Sequence, residues 1–287
     1  MASFFITGKL GSGKSLIAVG RAMEYLKRGC LVASNVDFTL EGYFAAESRR
    51  TVLRIPDKPT VADFEVLGVA NSGYDEDKNG LLILDELGSW FNSRSWQDKD
   101  RKAVLEWFLH LRKRGWDVFL LVQDISMVDG QLRSMLAEHL VTCRRLDRVP
   151  IPFIGKFSRN FGFSGNLPKL HRAKVFYGEA VTDLHIDTWT YFGTEYYKAY
   201  DTKQIFSTFY PHGVHSVLSP WHIKGRYLSK PSSFLDMFKQ FFFPAKPAVI
   251  YADKHPLVLR VSKVQDVKLR LELYRRFDSC GAFDRCV

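Results

Sequence analysis

The sequence predicts an α/β fold in which a parallel sheet carries a nucleotide-binding loop. Two observations support this: a phosphate-binding motif near the start of the chain, and short apolar runs that alternate with helical patterns over residues 3–143. Strands that alternate with helices form parallel sheets with right-handed crossovers. With 287 residues and 46% hydrophobic content, the chain is large enough for one large or two modest domains.

The first strand and the first helix flank the motif. Residues 3–7 (SFFIT) predict a buried strand, a helical pattern opens at Lys14, and Gly29 predicts its end. Residues 8–15 (GKLGSGKS) fit the P-loop pattern G-x-x-x-x-G-K-[ST], which predicts bound ATP. The glycines let successive N–H groups face one point at a helix N-terminus. The predicted nucleotide-binding residues are Gly8, Lys9, Leu10, Gly11, Ser12, Gly13, Lys14 and Ser15.

Three side chains of the motif have separate roles. Lys14 is predicted to contact the β- and γ-phosphates during catalysis, and the Ser15 hydroxyl to ligate Mg²⁺. Lys9 also fits G-K-x-x-x-G-K-[ST], in which an added lysine reaches across a dimer to a second nucleotide. The rest of that dimeric plan is not evident, so an exposed loop lysine is the favoured interpretation.

The next elements lead to a second motif. Residues 30–34 predict a strand, and residues 37–60 predict loops with one short helix. Residues 81–84 (LLIL) predict a strand buried on both faces, and the two acids after it complete a Walker B pattern. Asp85 is predicted to hold Mg²⁺, and Glu86 to act as general base toward an attacking water. The alternative is an acidic pair that caps the following helix.

The core continues with a helix over 99–114 ended by Gly115, a strand over 118–122, a helix over 130–138 and a strand over 139–143. Gln123 directly follows the predicted strand over 118–122. In P-loop ATPases with a strand between the P-loop and Walker B strands, a polar residue here faces the γ-phosphate, so Gln123 is predicted to sense nucleotide or position water. An ordinary polar residue at a strand end is the alternative.

Several arginines are candidates for a finger supplied to a neighbouring subunit, which stabilises transition-state charge in ring ATPases. Arg133 is the predicted catalytic arginine, and Arg94, Arg144 and Arg145 are alternatives. Most arginines are solvated surface groups, which is the competing interpretation for each of them. A finger acting between subunits predicts a homo-oligomer, a hexameric ring.

The chain's net charge of +10 suits an anionic partner. Residues 144–174 hold eight Lys or Arg and one acid, with phenylalanines interleaved, which predicts binding of single-stranded DNA. Docking on anionic lipid headgroups and a plain basic surface loop are the alternatives. The predicted phosphate contacts are Lys156, Arg159, Lys169, Arg172 and Lys174, and the predicted stacking residues are Phe157 and Phe161.

Later patterns are weaker. Residues 175–201 predict antiparallel strands or a hairpin, and residues 264–277 a helix. A strand that starts at residue 3 leaves no room for a signal peptide, and no run of 18 apolar residues predicts a membrane span. The four cysteines lack metal-ligand spacing and are expected to be reduced, although Cys280 and Cys286 are near enough to pair in an oxidising compartment.

Motifs spread over the chain resemble the zonular occludens toxin (Zot) family, which includes filamentous-phage morphogenesis ATPases. They are residues 112–118 (RKRGWDV), 122–124 (VQD), 131–133 (QLR), 143–148 (CRRLDR) and 200–202 (YDT). The resemblance covers roughly residues 1–205 and implies a RecA-like P-loop core followed by a small β-rich region. It suggests an ATPase core over 1–145, a basic aromatic segment and hairpin over 146–205, and an extension over 206–287.

The resemblance implies an ATP-hydrolysing motor that moves single-stranded phage DNA during virion assembly and extrusion. Its partners would be phage coat or capsid proteins and a membrane surface or export channel, and its location the cytoplasmic face of the host inner membrane. The family's usual membrane-spanning helix is not evident over 206–287. The alternatives are a genome-packaging ATPase that fills a preformed capsid, a small-molecule phosphotransferase, and a nucleotide-gated scaffold without turnover.

Overall fold

The computed structural model describes residues 2–91, 98–148, 169–192, 194–207 and 209–228. Within these residues, nine strands form one mixed sheet in the order β8-β7-β6-β1-β5-β4-β2-β3-β9. The strands are β1 (Ser3–Thr7), β2 (Val32–Ser34), β3 (Leu53–Arg54), β4 (Gly80–Leu84), β5 (Trp116–Leu121), β6 (His139–Arg145), β7 (Leu170–Tyr177), β8 (Leu184–Phe192) and β9 (His215–Ser216).

The six central strands, from β6 to β3, pair in parallel, as the alternating pattern predicts. Strand β5 lies between the P-loop strand β1 and the Walker B strand β4, pairing with both. The predicted role of Gln123 requires this order, in which one strand lies between the P-loop strand and the Walker B strand. The RecA-like P-loop fold class predicted from the sequence is confirmed.

Six α-helices occur in the described chain: α1 (Lys14–Arg28), α2 (Val61–Leu67), α3 (Leu87–Trp90), α4 (Asp98–Leu109), α5 (Gly130–Leu136) and α6 (Pro220–Ile223). Helix α1 buries an apolar stripe that includes Leu16, Val19 and Met23. It ends where Gly29 adopts a left-handed conformation with φ of 87°, as predicted. One apolar layer forms around α1 on one face of the sheet, and a second forms with α2, α4 and α5 on the other.

The prediction of a short helix within residues 37–60 is wrong. The segment instead contributes the two-residue strand β3, which extends the sheet beyond β2. Its Arg54 is 2% exposed and paired with Asp37 and Asp57, so tertiary ion pairs rather than local propensity shape this stretch.

The predicted hairpin is confirmed, although it begins earlier than expected. Strand β7 pairs antiparallel with β6 and with β8, so the hairpin continues the central sheet. The first compact unit of the chain extends to Leu228 and includes β9, which pairs antiparallel with β3. None of the helices in the described part is long and apolar enough to cross a membrane. The predicted helix over 264–277 and Cys280 and Cys286 lie outside the described residues.

Candidate functional site

A cleft of about 690 Å³ opens where β1, β4 and β5 end. The P-loop forms one wall. Gly8, Gly11 and Gly13 have φ of 146°, 70° and 93°, conformations that favour glycine and that let the loop turn its amides toward one point. Gly13 is also the N-cap of α1, so the positive end of that helix faces the cleft. The wall therefore suits an anion such as a polyphosphate.

The two motifs meet across the cleft. The Ser15 hydroxyl donates a 2.7 Å hydrogen bond to the Asp85 carboxylate, although the residues lie 70 positions apart in sequence. Within the loop, the Lys14 ammonium donates to the Gly8 carbonyl at 2.9 Å. A hydroxyl and a carboxylate at this separation are oxygen donors of the kind that Mg²⁺ prefers, so the residues present fit a magnesium–nucleotide complex.

Asn35, for which no sequence pattern predicts a role, holds Asp85 in position. It follows β2 and is fully buried. Its side-chain oxygen accepts from the Asp85 amide at 2.8 Å, and its side-chain nitrogen donates to the carbonyls of Asp85 (3.0 Å) and Asp57 (3.2 Å). A single side chain therefore holds both backbone groups of the candidate metal ligand.

The two acids at the end of β4 differ in environment. Burial raises the pKa of Asp85, opposed by hydrogen bonds from Ser15 and the Glu86 amide and by the charge of Lys14. Burial also raises the pKa of Glu86, with a further contribution from the Asp85 charge. Glu86 has φ of 52° and is the one non-glycine residue with positive φ in the described chain. Such strain often marks functional positions, and here it turns the backbone sharply between β4 and α3.

The structure distributes the other predicted residues unevenly. Gln123 lies in the cleft wall, and its carbonyl accepts from the Gly8 amide at 3.2 Å. Arg145 also lines the cleft and pairs with Asp147 at 2.5 Å. Arg133 lies on α5, is not among the residues that line the cleft, and forms an ion pair with Glu179 at 3.4 Å.

Of the remaining P-loop positions, Leu10 and Gly11 line the cleft, whereas Lys9 is exposed on the loop and Ser12 is buried. Arg144 is exposed on β6. Among the predicted DNA contacts, Arg172 and Lys174 lie on β7, and Lys169 precedes it. Arg94, Lys156, Phe157, Arg159 and Phe161 lie outside the described residues.

A strap formed by residues 194–207 supplies the wall opposite the P-loop. Tyr197, Tyr200 and Gln204 line the cleft. Gln204 donates to the Asn35 carbonyl at 2.8 Å and accepts from the Asp37 amide at 2.8 Å. The strap is thus hydrogen-bonded to the residue that holds Asp85. The YDT triplet at 200–202 contributes to the family resemblance, but no local sequence pattern predicts that the strap lines the cleft.

His171 forms the support beneath the P-loop. It is 2% exposed on β7, and its Nε2 lies 3.1 Å from the Tyr197 hydroxyl of the strap. A Cβ at Gly13 would lie only 1.9 Å from His171 Nδ1, so the loop can approach β7 only with glycine at that position. Burial lowers the pKa of His171, and the charge of Arg145 lowers it further. A neutral imidazole therefore packs against the loop.

The amino-acid sequence of the chain is similar to a known protein family and to proteins of filamentous phages. A family model described as "Zonular occludens toxin (Zot)" matches residues 2–164. The chain is 52% identical over 233 residues to the Gene 1 protein of Enterobacteria phage fd, covering 79% of this chain and 66% of that protein. It is 50% identical over 236 residues to the Gene 1 protein of Escherichia phage If1, covering 80% and 66% respectively. The chain thus matches just under two thirds of the length of these relatives.

Two solved structures to which the chain is similar are distant in sequence. The N-terminal domain of zonular occludens toxin from Neisseria meningitidis shares 17% identity with a TM-score of 0.41, covering 70% of this chain and 100% of that one. B204, the DNA-packaging ATPase from Sulfolobus turreted icosahedral virus, shares 16% identity with a TM-score of 0.37, covering 64% and 94%.

Proposed function

Because this chain belongs to the zonular occludens toxin (Zot) family, we propose that it is an ATP-hydrolysing motor that drives DNA translocation during phage assembly and extrusion. The observation that carries the proposal is the 2.7 Å hydrogen bond between Ser15 of the P-loop and Asp85 of the Walker B strand. It unites the two halves of a magnesium–ATP site in one cleft.

The cleft residues divide the chemistry of hydrolysis among them. The P-loop amides and Lys14 would bind the phosphates, and Ser15 and Asp85 would hold Mg²⁺, which would supply charge neutralisation at the phosphates. Glu86, at the rim, orients a water and accepts its proton. The raised pKa of Glu86 makes its carboxylate a stronger base than an ordinary glutamate, which suits that role. Gln123, at the end of the inserted strand, is placed to orient the same water.

The proposed active form is a ring of identical subunits, a hexamer. Arg133 is 38% exposed and lies outside its own subunit's cleft, so it is available to a neighbouring nucleotide. Its ion pair with Glu179 would break on insertion, at small cost because both side chains are solvated. DNA, coat or capsid proteins and an export channel at the host inner membrane complete the proposed set of partners.

Two variants test hydrolysis directly. Lys14→Ala is expected to abolish ATP binding, because it removes the cation that contacts the phosphates. Glu86→Gln is expected to retain Mg²⁺-ATP binding and lose turnover, because the amide cannot accept the proton. Glu47→Gln, a change of the same kind at an exposed residue outside the cleft lining, is the matched control. Turnover by Glu86→Gln at the rate of the control would refute the assignment of the base.

The motor function needs its own readout. Basal ATP hydrolysis without an added acceptor, stimulated by single-stranded DNA and accompanied by ring formation in sedimentation, is the expected result. Hydrolysis that depends on a small-molecule acceptor and ignores DNA would instead identify a phosphotransferase.

A further inference from the structure

One face of the outer strands β6 to β8 carries a cluster of exposed cations, here called the basic sheet face. Arg144 on β6 lies directly opposite Arg172 on β7, and the neighbouring pair along these strands is Thr142 with Lys174. On the third strand, Thr190 is opposite Arg172. Side chains two residues apart share a face of a sheet, so Arg144, Arg172 and Lys174 project together. All three are exposed.

This arrangement is unfavourable without a partner. Like charges directly opposite on neighbouring strands repel. Among the residues that the structure describes, no acidic side chain forms an ion pair with Arg144, Arg172 or Lys174. Asp187, the acid in the middle of β8, bonds to the Trp189 indole, which packs in the apolar layer on the opposite face of the sheet. The face therefore presents positive charge that an external anion can neutralise.

The remainder of the face suits a polymer with phosphates and exposed bases. Threonines 142, 188 and 190 place hydroxyl donors among the cations. Two residues beyond the pair of Arg172 with Thr190, Leu170 on β7 lies opposite Phe192 on β8, whose side chain is 61% exposed. Helix α5 covers only the other end of the face, where Leu140 and Phe176 pack with Leu132 and Leu136. An exposed aromatic ring beside a row of cations can stack on an unpaired base, which duplex DNA does not offer.

We propose that the basic sheet face binds the backbone of single-stranded DNA, with Phe192 stacking on a base. This rests on the proposed function. It places Arg172 and Lys174, two of the predicted phosphate contacts, on one surface with Arg144, and it extends that surface to Phe192 on β8. The cations, hydroxyls and aromatic ring together fit the phosphates and bases of single-stranded DNA, whereas an acidic protein surface would not require the ring.

The basic sheet face also lies back to back with the nucleotide cleft. Arg144 is adjacent in sequence to Arg145, and Arg172 to His171, and both of these neighbours line the cleft. Adjacent residues of a strand point to opposite faces. DNA on the basic sheet face and nucleotide in the cleft would thus contact the same two strand ends, which gives DNA a direct route to influence hydrolysis.

The test compares two triple variants of the full chain. Arg144→Gln/Arg172→Gln/Lys174→Gln removes the basic sheet face. Lys27→Gln/Lys102→Gln/Lys113→Gln removes three exposed cations elsewhere and has the same net charge. Binding of a fluorescent oligothymidine of about 20 nucleotides is measured over a range of salt concentrations. Losing three phosphate contacts should make the slope of log affinity against log salt concentration shallower by about 2. The ratio of wild-type affinity to variant affinity should therefore fall about 20-fold between roughly 50 and 200 mM salt.

The other readouts separate the possible outcomes. Both variants should bind ATP normally, and loss of a like-charge pair should leave unfolding free energy unchanged or higher. Phe192→Ala should weaken binding about 5- to 150-fold without changing the salt slope. An equal loss of DNA affinity in both triple variants would overturn the proposal. The proposal would also fail if the basic sheet face variant lost binding to anionic vesicles but kept binding to DNA. If the wild-type chain itself binds no DNA, the proposed motor function fails, whereas wild-type binding with an unchanged slope in the variant refutes only this surface.

Discussion

Replacing Asn35 with alanine probes how Asp85 is held. The change deletes three buried hydrogen bonds, two to the backbone of Asp85 and one to the Asp57 carbonyl. At about 1 kcal/mol for each bond, the free energy of unfolding should fall by about 3 kcal/mol, because the groups left behind are shielded from water. Loss of a group that orients a metal ligand typically lowers metal affinity about 10- to 100-fold, and we expect the same for Mg²⁺-dependent ATP binding.

The control is Asn71→Ala. Asn71 also makes three hydrogen bonds, with Asp75, Asn79 and the Gly73 amide, but it is only partly buried and lies outside the cleft lining. Water can replace its bonds, so its loss should be smaller. Urea unfolding in EDTA measures stability, and titration of ATP with and without Mg²⁺ measures the metal effect. Equal Mg²⁺ dependence in wild type and Asn35→Ala would refute the role of Asn35 in positioning Asp85, whatever the loss of stability.

Three further changes test other parts of the site. Gly13→Ala should abolish ATP binding and lower the free energy of unfolding by at least about 1–2 kcal/mol. The reason is that φ of 93° is strained for alanine and that the methyl group would collide with His171. Unchanged ATP binding would show that the loop can move away from β7. Asp85→Asn should stabilise the metal-free chain, by a margin that grows in urea unfolding as pH rises above about 4, where an unfolded aspartate ionises. The sign follows from burial, which raises the folded-state pKa of Asp85. The wild type therefore loses stability as pH rises through that pKa, whereas the side-chain amide of the variant does not titrate. A stability difference that shrinks as pH rises would contradict this prediction. Arg133→Ala should leave ATP binding intact and reduce turnover in mixed rings with active subunits, and full turnover there would exclude it as the finger.

The parts of the fold that the sequence predicts are those encoded locally. The P-loop, the strand before it and the helix after it depend on residues within one short stretch, and Gly29 ends α1 as expected. The buried strand β4 is recognisable as a continuous apolar run, and β5 as the apolar run that follows Asp117. The pairing of Ser15 with Asp85 could be anticipated because the motifs that contain them have a known relation in parallel sheets.

The parts that were missed depend on distant partners. Asn35 is one asparagine after a three-residue strand, and its importance arises from contacts to residues 22 and 50 positions away. Strand β3 has two residues, too few for a period-2 pattern, and it exists because β2 and β9 lie on either side of it. Gly13 was expected to serve the turn, but its close approach to His171, more than 150 residues away, could be seen only in the folded chain.

The strap has a consequence for synthesis of the chain. Its hydrogen bonds to the segment after β2 span 167 residues at Asp37 and 169 at Asn35, and the Ser207 amide reaches back 150 residues to Asp57 at 2.7 Å. Contacts this far apart in sequence form late, because the loop between them must close first. During translation, which proceeds from the N-terminus, the P-loop and Asp85 leave the ribosome more than a hundred residues before the strap does. The nucleotide cleft therefore acquires its second wall only after residue 207 has left the ribosome, and a nascent chain truncated before residue 204 would present an open, half-built site.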